Sequence, residues 1–250
     1  MTKIINEYKI EASADLQNAD LQNTNLKNVN LRTANLQNAD LQNADLRNTN
    51  LRNANLRNTN LQYANLRNAN LKYADLQYTD LQYADLQYVN LQDADLRGAN
   101  LKNANLRDTD LQYVNLQDAD LRGANLRDAD LRGASLKNAN LRDADLRGAN
   151  LKSANLRDAD LRGANLQYVN LRSANLVGAN LIGTNLDFSC FPLWCGSFNI
   201  KDDGRLFKQL LSHLARFDKT TLPKDMQKFI DKIPRKYKND ICKRHNVKEL

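Results

Sequence analysis

Leucine stands at every fifth position of this chain from Leu16 to Leu186, 35 times without an interruption. That period limits the fold more than any other feature. An α-helix repeats its faces about every 3.6 residues and a strand alternates them every two, so neither can run unbroken through the array. Something must reset the side-chain directions once in each unit of five. The positions around each Leu supply it. Two residues before it stands Ala (25 times), Thr (6) or Val (4), and directly before it Asn (21), Asp (13) or Ser135. Directly after it comes a long polar residue, in most units Arg, Lys or Gln. At Leu+2, 24 of the 35 residues are Gly, Asn or Asp, which tolerate a left-handed backbone and favour tight turns. Each unit therefore reads as a short extended piece closed by a corner. None of the prolines falls in the array, as expected where nearly every backbone N–H is needed in a ladder.

Units such as Ala-Asp-Leu-Arg-Gly (94–98) and Ala-Asn-Leu-Arg-Asn (54–58) follow the pattern A(D/N)LXX. In this the chain resembles the pentapeptide-repeat family, over residues 14–188 and with no slip of register. The resemblance implies an all-β solenoid, a right-handed quadrilateral β-helix with four units per coil. Leu and the Ala/Thr/Val position would point inward and the other three positions would face solvent. The 35 units would make nearly nine coils, about 40 Å long at roughly 4.8 Å between stacked strands. An axis filled by one Leu per side also accounts for the absence of Phe and Trp at that position. Burying each Leu is worth about 2 kcal/mol. Solenoid ends need covering, and a non-repeat segment lies at each one: residues 1–13, read as an N-terminal cap, and residues 189–250.

With four units per coil, residues twenty apart stack on one side. The side carrying Leu16 then has five Asp against four Lys/Arg, the Leu21 side six against four, the Leu26 side six against six and the Leu31 side three against six. The array is net neutral, with 20 of each sign. Some family members protect type II topoisomerases by presenting a DNA-like negative rod. Duplex DNA carries about one negative charge per 1.7 Å, so a mimic of this length would need about 20 uncompensated charges. A gyrase-directed DNA mimic is therefore the disfavoured alternative.

One stretch breaks the mixed pattern. Between Lys72 and Arg97 there is no positive charge, while Asp75, Asp80, Asp85, Asp93 and Asp95 give net −5. Tyr73, Tyr78, Tyr83 and Tyr88 fall in the same stretch, one per side, with Tyr63 one coil below Tyr83. Stacked tyrosines can simply cover ladder backbone. The sharper reading is a belt of partner contact formed by Tyr63, Tyr73, Tyr78, Tyr83 and Tyr88 with Asp75, Asp80 and Asp85, because Tyr is enriched at interaction surfaces.

After Leu186 the composition changes. Phe188, Phe191, Leu193 and Trp194 form an apolar run expected to cap the open end of the Leu stack. A helix is predicted from about Asp203 to Phe217, with Leu206, Phe207, Leu210, Leu211 and Leu214 in one apolar stripe. A second is predicted from near Pro223, and a third from Arg235 to His245. This tail is similar to those of phage-encoded family members. Some members dimerise through this end, so a homodimer is one expectation. Residues 188–250 hold 14 Lys/Arg against 7 Asp/Glu, the whole net charge of +7. Lys232, Arg235, Lys236, Lys238, Lys243 and Arg244 make a basic patch that is either a solvated helix face or a contact for nucleic acid or an acidic partner.

Chemistry of other kinds finds little support. Cys190 and Cys195 with Cys242 and His245 have zinc-ligand types, but the spacing is irregular and free thiols are the simpler reading. The only histidines, His213 and His245, accompany no nucleophile motif, phosphate loop or paired acid. No cofactor is implied, and no stretch approaches the roughly 18–20 apolar residues of a membrane span. The N-terminus lacks the apolar region of a secretory signal, and three cysteines make no disulfide framework. The expectation is a cytoplasmic, non-enzymatic scaffold that binds another protein.

Overall fold

Residues twenty apart pair side by side along the array, each through one parallel bridge between the residues that precede Leu, from Asp15–Asn35 to Asn165–Asn185. Four units therefore close one coil, as in the right-handed quadrilateral β-helix. The computed structural model describes residues 3–186 and 189. The chain divides into two units, Met1–Lys201 and Asp202–Leu250, and every described residue belongs to the first. The end-cap residues Phe188, Phe191, Leu193 and Trp194, the helices expected between 203 and 245, the basic patch from Lys232 to Arg244 and the cysteine–histidine set lie outside the described residues.

The unit around Leu101 shows why the sequence period becomes a coil. Its N–H donates to the Asp120 carbonyl of the next coil at 2.7 Å, and the Asn103 N–H to that of Arg122 at 2.9 Å. Asn105 N–H points the other way, to the Ala84 carbonyl at 2.9 Å, and Ala104 N–H closes the corner onto the Leu101 carbonyl at 3.0 Å. The Lys102 N–H remains, and Asn100 Oδ1 accepts it at 3.3 Å. All five N–H groups of the unit are thus satisfied, which a buried ladder requires. The fifth bond explains why Asn or Asp precedes Leu: the backbone leaves one donor per unit that only a short side-chain acceptor can reach. Every unit from Asp15 to Asn180 has this bond except that of Ser135, whose hydroxyl makes none to Lys137 N–H among the bonds of the described residues.

Each corner has its second central residue at positive φ, as in a type II turn. Asn, Asp and Gly at Leu+2 adopt it, but so do Thr33, Ser153, Ser173 and seven tyrosines, with Tyr63 to Tyr168 at φ 57–62°. For a bulky residue that conformation is uncommon. The ladder imposes it, because the same corner must close in every unit.

Every Leu from 16 to 186 is buried, and so is the Ala/Thr/Val position throughout the middle of the array. The outward positions depart from the expectation of full exposure. Most Leu+1 side chains beyond the first coil are half-buried, and Gln77 is only 9% exposed. They lie along the ladder and hydrogen-bond across it, as Gln77 Nε2 does to Asp95 Oδ2 of the next coil at 3.1 Å.

The N-terminal segment forms a hairpin. β1 (Lys3–Ile5) and β2 (Tyr8–Ile10) pair antiparallel with Ile5 opposite Tyr8. Asn6 and Glu7 both take positive φ, as a two-residue type I′ loop requires. Ile10 is buried, and Asn6 Nδ2 donates to the Asp20 carbonyl at 3.3 Å. Ser13 already holds a corner, its N–H on the Arg32 carbonyl at 2.9 Å.

Candidate functional site

The tyrosines share one position in the unit and are dispersed by the coil. All seven in the array stand at Leu+2, and each is between 44% and 62% exposed. Tyr73, Tyr78, Tyr83 and Tyr88 occupy the four corners of a single coil, so no partner approaching from one direction reaches them all. Tyr63 and Tyr83 are brought together: their rings stack at 5.0 Å between centroids, 5° from parallel. Tyr73 has cationic company instead, Lys72 Nζ at 4.7 Å and the Arg52 guanidinium at 5.4 Å from its ring.

The acidic stretch also changes when coiled. Asp75 meets Arg57 at 3.5 Å and Asp85 meets Arg67 at 4.0 Å, both cations coming from the coil below. Asp95 is held by Arg97 of its own unit. Asp80 differs: its Oδ2 accepts Gln62 Nε2 at 2.6 Å and Gln82 Nε2 at 3.1 Å, amides that leave its charge uncompensated. Charge counted along the chain is thus not charge displayed on the surface.

The charge on each side also varies from coil to coil. On the Leu21 side, from Asp20 to Tyr83, the charged residues are Asp20, Asp40 and Asp80, with Gln22, Gln42, Gln62 and Gln82 at the position where the Leu26 side carries Lys27, Arg47 and Arg67 and the Leu31 side Arg32, Arg52 and Lys72. Gln22 Nε2 donates to Asp40 Oδ2 at 3.0 Å, repeating the Gln62–Asp80 bond two coils on. This acidic side is edged by Tyr78 at one corner and by the Tyr63–Tyr83 stack at the next. Of the residues singled out from sequence, Tyr63, Tyr78, Tyr83 and Asp80 therefore share a surface, whereas Asp75, Asp85, Tyr73 and Tyr88 belong to other sides. Asp20 and Asp40 were not singled out. Counting each side coil by coil, rather than over its full length, is the signal that finds them.

Elsewhere the carboxylates are neutralised locally by a simple rule. Wherever Asp-Leu-Arg occurs, the guanidinium turns back onto the carboxylate of its own unit: Asp45–Arg47, Asp95–Arg97, Asp120–Arg122, Asp130–Arg132, Asp145–Arg147 and Asp160–Arg162. The Arg side-chain hydrogen bond holds the carboxyls of Asp45, Asp120, Asp145 and Asp160 below the usual carboxylate range, against a smaller opposing effect of burial. Among the described residues no three His, Cys, Asp or Glu side chains are grouped to hold a metal ion, and no helix is long and apolar enough to cross a membrane.

The sequence model of the family described as pentapeptide repeats (8 copies) matches residues 14–53, 49–87, 90–128, 124–163 and 154–191. The chain belongs to the pentapeptide-repeat family. Among solved structures it is similar to HetL, a pentapeptide-repeat protein involved in heterocyst differentiation regulation in the cyanobacterium Nostoc sp. PCC 7120. The identity there is 34% over 76% of this chain and 87% of that one, with a TM-score of 0.46. Rfr23 from the cyanobacterium Cyanothece 51142 is 32% identical over 44% of this chain and 87% of its own, TM-score 0.34. The plasmid-mediated fluoroquinolone resistance protein QnrB1 is 18% identical over 76% of this chain and 95% of its own, TM-score 0.35. No functionally curated protein matches the chain. Pentapeptide-repeat proteins are in general structural or protein-interaction modules rather than enzymes.

Proposed function

We infer that this pentapeptide-repeat protein is a non-enzymatic, cytoplasmic scaffold whose Leu21 side docks a basic segment of another protein. The reading rests on one juxtaposition: three carboxylates that form no ion pair among the described residues, on a side edged by a stacked tyrosine pair and a further tyrosine. A ladder fixes the spacing of these groups at about 4.8 Å per coil, so the surface is preorganised and little entropy is lost on docking. Tyrosines supply rigid apolar area with a polar tip at interface edges. Asp20, Asp40 and Asp80 favour a cationic partner and shape its rate of encounter more than its affinity.

The array offers its own control substitution. Asn is the commonest residue at Leu+2 and suits the left-handed corner better than Tyr. The triple variant Y63N/Y78N/Y83N should keep the fold and lose the partner. Retention of the same partner at unchanged affinity would remove this reading. Gyrase inhibition is the competing activity, and a net-neutral array argues against it: a DNA-like field needs a continuous excess of negative charge.

A further inference from the structure

Over its first five coils the opposite side is segregated by sign. On the Leu31 side, between Asn30 and Tyr113, the charged residues are Arg32, Arg52 and Lys72, then Asp93 and Asp110, with Gln92 and Gln112 continuing the cation column. None of the three cations enters an ion pair among the described residues. Lys72 Nζ donates to Gln92 Oε1 at 2.7 Å, and Lys72 and Arg52 both sit over Tyr73. Tyr113, 61% exposed, stands on the same corner two coils beyond Tyr73.

We propose that this ridge pairs with the same ridge of a second copy, two solenoids lying antiparallel side by side. The charge order makes the surface self-complementary under a two-fold axis. An axis between the third and fourth coils sets Lys72 against Asp93 of the second copy and Arg52 against its Asp110, and each contact occurs twice. It also brings Tyr113 of one copy to Arg52 of the other, a cation–π geometry like the one Arg52 already makes with Tyr73. Such an interface is isologous and closed, so it stops at a dimer rather than growing into a filament. Contact over six coils spans about 25–30 Å of a narrow ridge, less than a standard stable interface. The dimer is therefore weak and salt-sensitive. A nucleic acid running along the same ridge would meet Asp93 and Asp110 immediately after the cations, whereas a second copy answers both signs.

Two full-length variants test it. R52E/K72E makes the ridge predominantly acidic, with Arg32 the one cation left on it. Q92K/D93N/Q112K/D110N makes it wholly basic, using residue types that the array already holds at those positions. Sedimentation velocity of the wild type should show a monomer–dimer equilibrium whose Kd rises about tenfold between about 50 and about 500 mM salt. Each variant alone should be monomeric, with an unchanged circular dichroism spectrum, and an equimolar mixture should form a one-to-one heterodimer tighter than the wild-type dimer. Three results would overturn the proposal. They are a wild type monomeric at low salt, a dimer that both variants retain (which would place its contact elsewhere), and folded variants that do not associate when mixed. Duplex DNA bound by the wild type and lost in R52E/K72E, without any self-association, would assign the ridge to nucleic acid instead.

Discussion

The Tyr78 ring occupies the space over Gly98 of the next coil, so that a Cβ at Gly98 would lie 2.6 Å from a ring carbon. Gly98 also has φ +65°. Two costs therefore meet in Gly98→Ala: left-handed backbone in a residue with a Cβ, roughly 1–2 kcal/mol, and displacement of the ring. The ring is well exposed and can swing out, so its share should be about 1 kcal/mol, measurable as coupling in a double-mutant cycle. Urea unfolding should show Gly98→Ala costing less in a Tyr78→Ala background than in the wild type. Equal costs in both backgrounds would mean that the ring is not held over the corner.

Ser135 is the single place where the residue before Leu is neither Asn nor Asp, and there the side-chain bond to the N–H two residues on is missing. Ser135→Asn should restore it to Lys137 and stabilise the protein by about 0.5–1.5 kcal/mol. The converse change, Asn100→Ser, should destabilise it by a similar amount. A Ser135→Asn variant whose urea midpoint is unmoved or lowered would show that the fifth N–H is satisfied by water at no cost.

The coil was legible in the sequence because every unit repeats the same three demands: Leu for the axis, a small inward partner, and a corner former. Side-chain traffic between coils was not. Gln77, Arg57 and Arg67 stand at a position that reads as solvent-facing, yet each reaches the carboxylate eighteen residues ahead. The period in sequence is five and the neighbour in space is one coil away, so a count along the chain assigned Asp75 and Asp85 an excess charge that Arg57 and Arg67 largely cancel. Asp80 escaped this because Gln62, and not Arg, lies beneath it. The residues beyond 189 carry the tail's basic and apolar features, and those remain expectations from composition.

Acid should weaken the array through its Asp-Leu-Arg units. The carboxyls of Asp120, Asp145 and Asp160 are lowered in the folded protein, first by the Arg side-chain hydrogen bond. The unfolded chain thus binds protons more readily, and the stabilisation, complete above the ordinary carboxylate value of about 3.9, is lost as the pH falls through the lower folded values. In thermal melts between about pH 5 and about pH 2, the wild type should lose more stability than D120N/D145N/D160N. Because these pairs lie at the surface, the difference at neutral pH should be small. Parallel pH profiles would contradict the assignment.

Leu101 is fully buried in the axis, and stacked neighbours on both sides cannot collapse into the space it leaves. Leu101→Ala should cost about 2–5 kcal/mol. Each coil contacts only its neighbours, so hydrogen exchange should rise most in the coils next to residue 101 and least near Leu31. Uniform loss of protection would show that the solenoid unfolds as one unit.

The proposed function makes the tyrosine-edged acidic side the surface this protein offers to a partner. Two full-length variants, Y63N/Y78N/Y83N and Y73N/Y88N/Y113N, remove three corner tyrosines each, the first set from that side and the second from other corners. Both should melt no lower than the wild type. The decisive measurement is quantitative capture from the native host, comparing the proteins retained by the wild type and by each variant. A partner rich in Lys or Arg should be lost with the first variant and kept with the second. A partner kept by the first and lost with the second, or held equally by all three proteins, would contradict it.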